Sequence, residues 1–232
     1  MATTNLRTQT VPTLMYQIDA DFAPVSAGHV SAGAAYVWGS FFADVNLYLL
    51  VGLGGAIFGA ALIAGEVSSG SIFILLSRPL SRQRVLLTKY GVAAGLLLLL
   101  CALCGGLALL LGRWQGVELS VGGMLLSMLL LWLATLFVLG LTLLYSVLVP
   151  SALAAGFLGF FTTYLLVIIP LLPNARNHQS ALGGPDWSIA NYWGTLGIYA
   201  GVESPAKSLV VALVAALIPL LVAAVLFMRK AF

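Results

Sequence analysis

The sequence predicts an all-α fold, a polytopic transmembrane helix bundle of about five spans. Three observations predict it. Of the 232 residues 61% are hydrophobic and only 7% charged, where a water-soluble domain carries roughly a quarter charged residues. The apolar residues form uninterrupted runs, long enough to cross a hydrocarbon layer of roughly 30 Å with about 20 helical residues each. Lys and Arg gather beside those runs rather than spreading along the chain, which is the pattern that orients helices in a membrane.

The spans read as Val45 to Gly65, Gly91 to Gly112, Gly122 to Ser146, Ser151 to Leu172 and Ser208 to Met228. Solid Leu, Val and Ala runs exclude a β-barrel, whose strands alternate apolar and polar residues. Helices remain, because in lipid each segment has to satisfy its own backbone N–H and C=O groups. Gly55 and Gly59 in the first span are small residues four apart, a spacing that lets helix backbones approach closely within a bundle or a dimer. No N-terminal signal peptide is visible, since Met1 to Thr13 lacks an apolar centre.

Arg78, Arg82, Arg84 and Lys89 crowd the loop between the first two spans, and Arg229 and Lys230 follow the last. Both regions are therefore expected in the cytoplasm of a multi-pass protein of the plasma membrane. Five crossings then put residues 1–44 outside, where Arg7 faces Asp19, Asp21 and Asp44. The basic residues thus read as orientation signals, and no nucleic-acid partner is expected despite the formal charge of +3. The outer loop at 173–207 carries Trp187, Tyr192, Trp193 and Tyr199, aromatic residues suited to the headgroup layer. A short interfacial helix from Trp187 to Tyr199, with Trp187, Asn191 and Trp193 as an outer gate, and an ordinary anchored loop are both readings of it.

Little else offers chemistry. Cys101 and Cys104 form a lone C-x-x-C inside an apolar run and read as small packing residues. His29 and His178 lie in outer loops without metal-ligand spacing, so neither a metal site nor a membrane protease or lipid-modifying enzyme is expected. The span residues Thr135, Thr142, Tyr145, Thr162, Thr163 and Tyr164 are candidates for a path, although such hydroxyls more often bond helix carbonyls or join helices. No span has an ionisable residue at its centre, as a proton- or sodium-driven carrier would usually need.

The informative stretch is the loop from Glu66 to Tyr90, too charged to span and too apolar for a free linker. Pro79 interrupts helix geometry, which predicts a short amphipathic helix before it and a second after it, with Ser81 as N-cap of the helix entering the next span. Arg82 and Lys89, seven residues apart, share one helix face. Such an element suits docking to a cytoplasmic protein; snorkelling charges alone are the simpler alternative.

This loop resembles the signature region of the ABC-2 type membrane permease family. The matching positions are the acidic Glu66, the small step Ser69-Gly70, Leu75-Leu76-Ser77, Pro79-Leu80-Ser81-Arg82 and the Lys89 that opens the next span. The order of later spans, the long outer loop and the short basic C-terminus extend the likeness. The resemblance implies a permease domain over residues 45–232, with a coupling loop at 66–90 in which Glu66, Gly70, Pro79, Ser81, Arg82 and Lys89 engage a separate ABC ATPase subunit. It further implies export, and a second permease subunit in a homodimer or heterodimer. The chain has no G-x-x-x-x-G-K-[ST] motif, so it is not expected to be an enzyme or to hold a cofactor; ATP and its Mg ion belong to the partner. A stand-alone channel or a secondary transporter is the alternative. Similar proteins have six spans, and here the first is expected to be missing, through an internal start or a five-span variant.

Overall fold

The computed structural model describes residues 45–71, 81–117, 119–168 and 205–229. These form helices α1 (Val45–Leu62), α2 (Ala64–Ser69), α3 (Arg82–Trp114), α4 (Val121–Leu148), α5 (Ala152–Ile168) and α6 (Pro205–Arg229), with no strand among the described residues. The five apolar helices, α1 and α3 to α6, fall on the five runs expected to span. Of these, α3, α4 and α6 are long and apolar enough to cross a membrane on their described residues alone.

The bundle is built around α4, which packs against α6, α1, α5 and α3. In its most apolar 18-residue stretch 72% of the residues are buried, against 28% in α3 and in α6. The central helix therefore forms the core, and the outer two turn most of their surface outward. Leu99, Leu103, Leu107 and Leu110 of α3 and Ile218 and Leu221 of α6 are exposed. In water each such leucine would forfeit roughly 1.5–3 kcal/mol of burial; against acyl chains that penalty disappears.

Close approach of α1 to α4 depends on Gly59. A Cβ at this position would lie 2.7 Å from the Thr142 Cβ and 2.9 Å from the Leu139 carbonyl oxygen. The small-residue step read from the sequence is thus used within the chain. Gly159 of α5 meets the other side of Thr142, where a Cβ would come within 2.7 Å of the Thr142 Cβ. One threonine is therefore held between glycines of two helices.

Hydroxyl and indole groups add hydrogen bonds within and between helices. Thr135 and Thr163 donate back to the Leu131 and Gly159 carbonyls at 2.8 and 2.9 Å, the local back-bonding that such residues favour inside membrane helices. Tyr145 and Thr162 share a hydrogen bond of 3.0 Å between α4 and α5. Trp132 Nε1 and Tyr90 Oη join α3 to α4 by donating to the Ala94 and Leu136 carbonyls at 2.9 and 3.3 Å. Cys101 and Cys104 are free thiols, the first buried in the α3 packing.

The helix expected to be capped by Ser81 and to enter the second span is found. The helix after Pro79 and the second span are a single 33-residue helix, α3, about 50 Å long at 1.5 Å per residue. No glycine or proline interrupts Arg82 to Tyr90, so the amphipathic start and the apolar span share one axis.

Candidate functional site: the broken foot of the first span

The expected coupling loop leaves the bundle where α1 ends and α3 begins. α1 stops at Leu62, Ile63 turns, and α2 starts at Ala64. Neither proline nor glycine occupies Ile63, so the break has a tertiary cause. The Ser146 hydroxyl of α4 accepts from the backbone N–H of Ala64 at 2.6 Å and of Ile63 at 3.3 Å, and donates to the Ala60 carbonyl at 3.3 Å. It is buried, 1% exposed, and satisfies backbone groups that a broken helix would otherwise leave unpaired in an apolar interior.

Lys89 secures the same break from α3. Its Nζ donates to the Leu62 carbonyl at 3.1 Å and pairs with Glu66 Oε1. The ammonium therefore closes the last turn of α1, where a cation is favoured by the helix dipole, while neutralising the carboxylate carried by α2. The two side chains are 23% and 25% exposed, too sheltered for the pair to be heavily screened. Among the described residues Glu66 Oε2 is buried and has no hydrogen-bond partner, which makes Lys89 the principal compensation for that charge.

α2 ends in a turn built from the small residues at its close. Gly70 has φ 74°, the left-handed conformation that closes a helix at least cost in glycine, and its N–H returns to the Val67 carbonyl at 3.2 Å. Ser68 and Ser69 donate back to the Gly65 and Glu66 carbonyls at 3.0 and 3.2 Å. The chain re-enters at Ser81, whose hydroxyl accepts from the Arg84 N–H at 3.4 Å and caps α3, as read from the sequence.

Of the residues expected to couple, Glu66 and Lys89 are brought into contact across 23 positions of sequence. Gly70 closes α2, Ser81 caps α3, and Arg82 opens α3 half-buried on the face it shares with Lys89. Pro79 and the outer-gate residues Trp187, Asn191 and Trp193 lie outside the described residues. Ser146 was not singled out by the sequence reading. As one serine near the end of an apolar run it carries no local signal for its role.

The beginning of α3 also meets the end of α6: Gln83 Nε2 donates to Met228 Sδ at 2.8 Å. Arg82, Arg84, Lys89 and Arg229 consequently share one end of the bundle. Between α1 and α3 runs a groove of about 290 Å³, lined by Phe58, Leu62, Val92 and Leu96 with Thr88 and Lys89 as its polar members.

A bundle of apolar helices whose few charges lie at the helix ends, most of them at one end of the bundle, defines a multi-pass membrane protein. A family model described as ABC-2 family transporter protein matches residues 5–232, nearly the entire chain. The protein belongs to this family. It is the transmembrane permease component of an ABC transporter, a non-catalytic component of a kind that generally works with an ABC ATPase. No curated protein matches the chain.

Proposed function

We propose that this chain is the membrane half of an exporter and is driven by a separate ABC ATPase docking on its 66–89 loop. The carrying observation is the junction at the foot of α1, where Lys89 pairs with Glu66 and holds the Leu62 carbonyl. Both ends of the loop are thereby fastened to the base of the first span. A push on the loop is then delivered to α1 and α3 together instead of being lost in slack chain.

Orientation supports the same reading. Arg82, Arg84, Lys89 and Arg229 lie at one bundle end, against Arg113 and Lys207 at the opposite ends of α3 and α6, and the positive-inside tendency assigns the more basic end, with the 66–90 loop and the C-terminus, to the cytoplasm. Glu66, Gly70, Pro79, Ser81, Arg82 and Lys89 form or frame the docking element, and Trp187, Asn191 and Trp193 serve as an outer gate. The ATPase binds ATP and Mg; this chain supplies the passage, paired with a second permease subunit, identical or related. Export is the direction favoured by the family likeness.

The test is affinity purification of the tagged chain from its native membrane in mild detergent, with mass spectrometry of what accompanies it. An ABC ATPase is expected, and its recovery should fall at least tenfold in a Pro79→Ala/Arg82→Ala variant that still inserts. Equal recovery from that variant would sink the assignment of the loop. Recovery of the chain without any ATPase would favour a stand-alone channel or carrier.

A further inference from the structure

The broken foot of α1 contains the parts of an unbroken helix. In a continuous helix the Ala64 N–H would bond the Ala60 carbonyl, four residues back. Here both groups bond the same Ser146 oxygen, at 2.6 and 3.3 Å. The hydroxyl has been inserted into the hydrogen-bond ladder, a recognised origin of sharp kinks. Ile63 records how little separates the two forms: its φ is −122° and its ψ −53°, against about −63° and −42° in an α-helix. ψ is already close to helical, and the principal change needed is a rotation of roughly 60° in φ.

We infer that the α1–α2 junction is a two-state hinge pinned by Ser146. The state described above is broken, with the hydroxyl inserted. In the second state Ala60 and Ala64 bond directly, and α1 runs unbroken into α2. The displaced hydroxyl then bonds the Thr142 carbonyl of its own helix, the back-bond open to any helical serine, so no buried group loses its partner. Glu66 N–H, which now bonds the Ile63 carbonyl at 3.0 Å, takes the Leu62 carbonyl instead and competes with Lys89 for it. Closing the ladder therefore loosens Lys89 and re-aims the helix that carries Glu66. Ser146 is a positioning residue: it acts on the docking loop through the direction of α2.

The hinge is read by nitroxide labels at Ser69→Cys in α2 and Leu148→Cys at the end of α4, both exposed positions, in a Cys101→Ala/Cys104→Ala background. Dipolar electron spectroscopy in lipid nanodiscs gives the distance. Ser146→Ala removes one oxygen and adds no atom; it is expected to shift the distance maximum to a new value, while Ser146→Thr, which keeps the hydroxyl, retains the original one. A folded Ser146→Ala protein with an unchanged distance overturns the inference.

A second arm rests on the coupling function proposed above. The label pair with Ser146 intact, in complex with the co-purified ATPase and trapped with ADP and vanadate, is expected to move toward the Ser146→Ala distance. If Ser146→Ala shifts and trapping does not, the hinge stands and the coupling role of the loop falls. If Ser146→Ala fails to assemble, Ser146→Gly, which also lacks the hydroxyl, takes its place, and an unmoved distance in that folded variant overturns the hinge.

Discussion

Lys89 serves a carboxylate and a main-chain carbonyl at once, and that double use makes its replacement informative. Removing it leaves the Glu66 charge with its Oε2 already unpartnered and the Leu62 carbonyl without its donor. Complete burial would make such a loss worth about 3–5 kcal/mol. With both side chains about a quarter exposed, Lys89→Met is expected to cost about 1–3 kcal/mol instead. Thermal unfolding of the purified protein measures this. The double replacement Glu66→Gln/Lys89→Met should recover more than half of the loss, because the remaining amide is neutral; strictly additive losses would show that the pair is not coupled. The sequence singled out Glu66 and Lys89 but not their contact, since a 23-residue separation contains no distance information. Ser146 was harder still. Its partners lie 83 and 82 residues away, and nothing beside it in sequence distinguishes it from a packing residue.

Among elements, α1 was legible in where it begins and illegible in where it breaks. Its apolar run fixed a span from Val45, and the Gly55 and Gly59 step anticipated a close neighbour. The prediction at this scale is that Gly59→Val drives α1 off α4, because the new side chain meets the Leu139 carbonyl and the Thr142 Cβ, neither of which can move without the α4 backbone. Overpacking of this kind costs typically 1–3 kcal/mol, and the variant should show earlier thermal unfolding and faster proteolysis of the 66–89 loop. Gly55→Ala, whose Cβ would meet its nearest atom at 3.1 Å, should be milder. The break at Ile63 escaped the sequence because helix breaks are ordinarily read from proline or glycine, and here an isoleucine–alanine step is opened by a hydroxyl from another helix. Ser81 shows the opposite case. Its capping role is local, so it was readable, and Ser81→Ala should destabilise the first turn of α3 by about 1 kcal/mol, detectable as faster amide exchange over residues 82–86.

For the whole molecule, composition argued against a soluble fold, and the length of the uninterrupted apolar runs then defined an all-α membrane bundle. The identity of the central helix was not readable: α3, α4 and α6 are all apolar, and only packing separates the buried α4 from its lipid-facing neighbours. Orientation is tested at this scale by labelling single cysteines with a membrane-impermeant maleimide in a background free of Cys101 and Cys104. Arg84→Cys should react only from the cytoplasmic side and Trp114→Cys only from the outside, both positions being exposed at opposite ends of α3. Reversed reactivity would invert the topology.

The length of α3 has a mechanical consequence. A helix of about 50 Å outreaches a hydrocarbon layer of roughly 30 Å, and this one is fastened to α4 by Tyr90 and Trp132 and lies against Met128 at Gly105. On the coupling function proposed above, a push at the Arg82 end would be carried along one continuous helix to the Trp114 end.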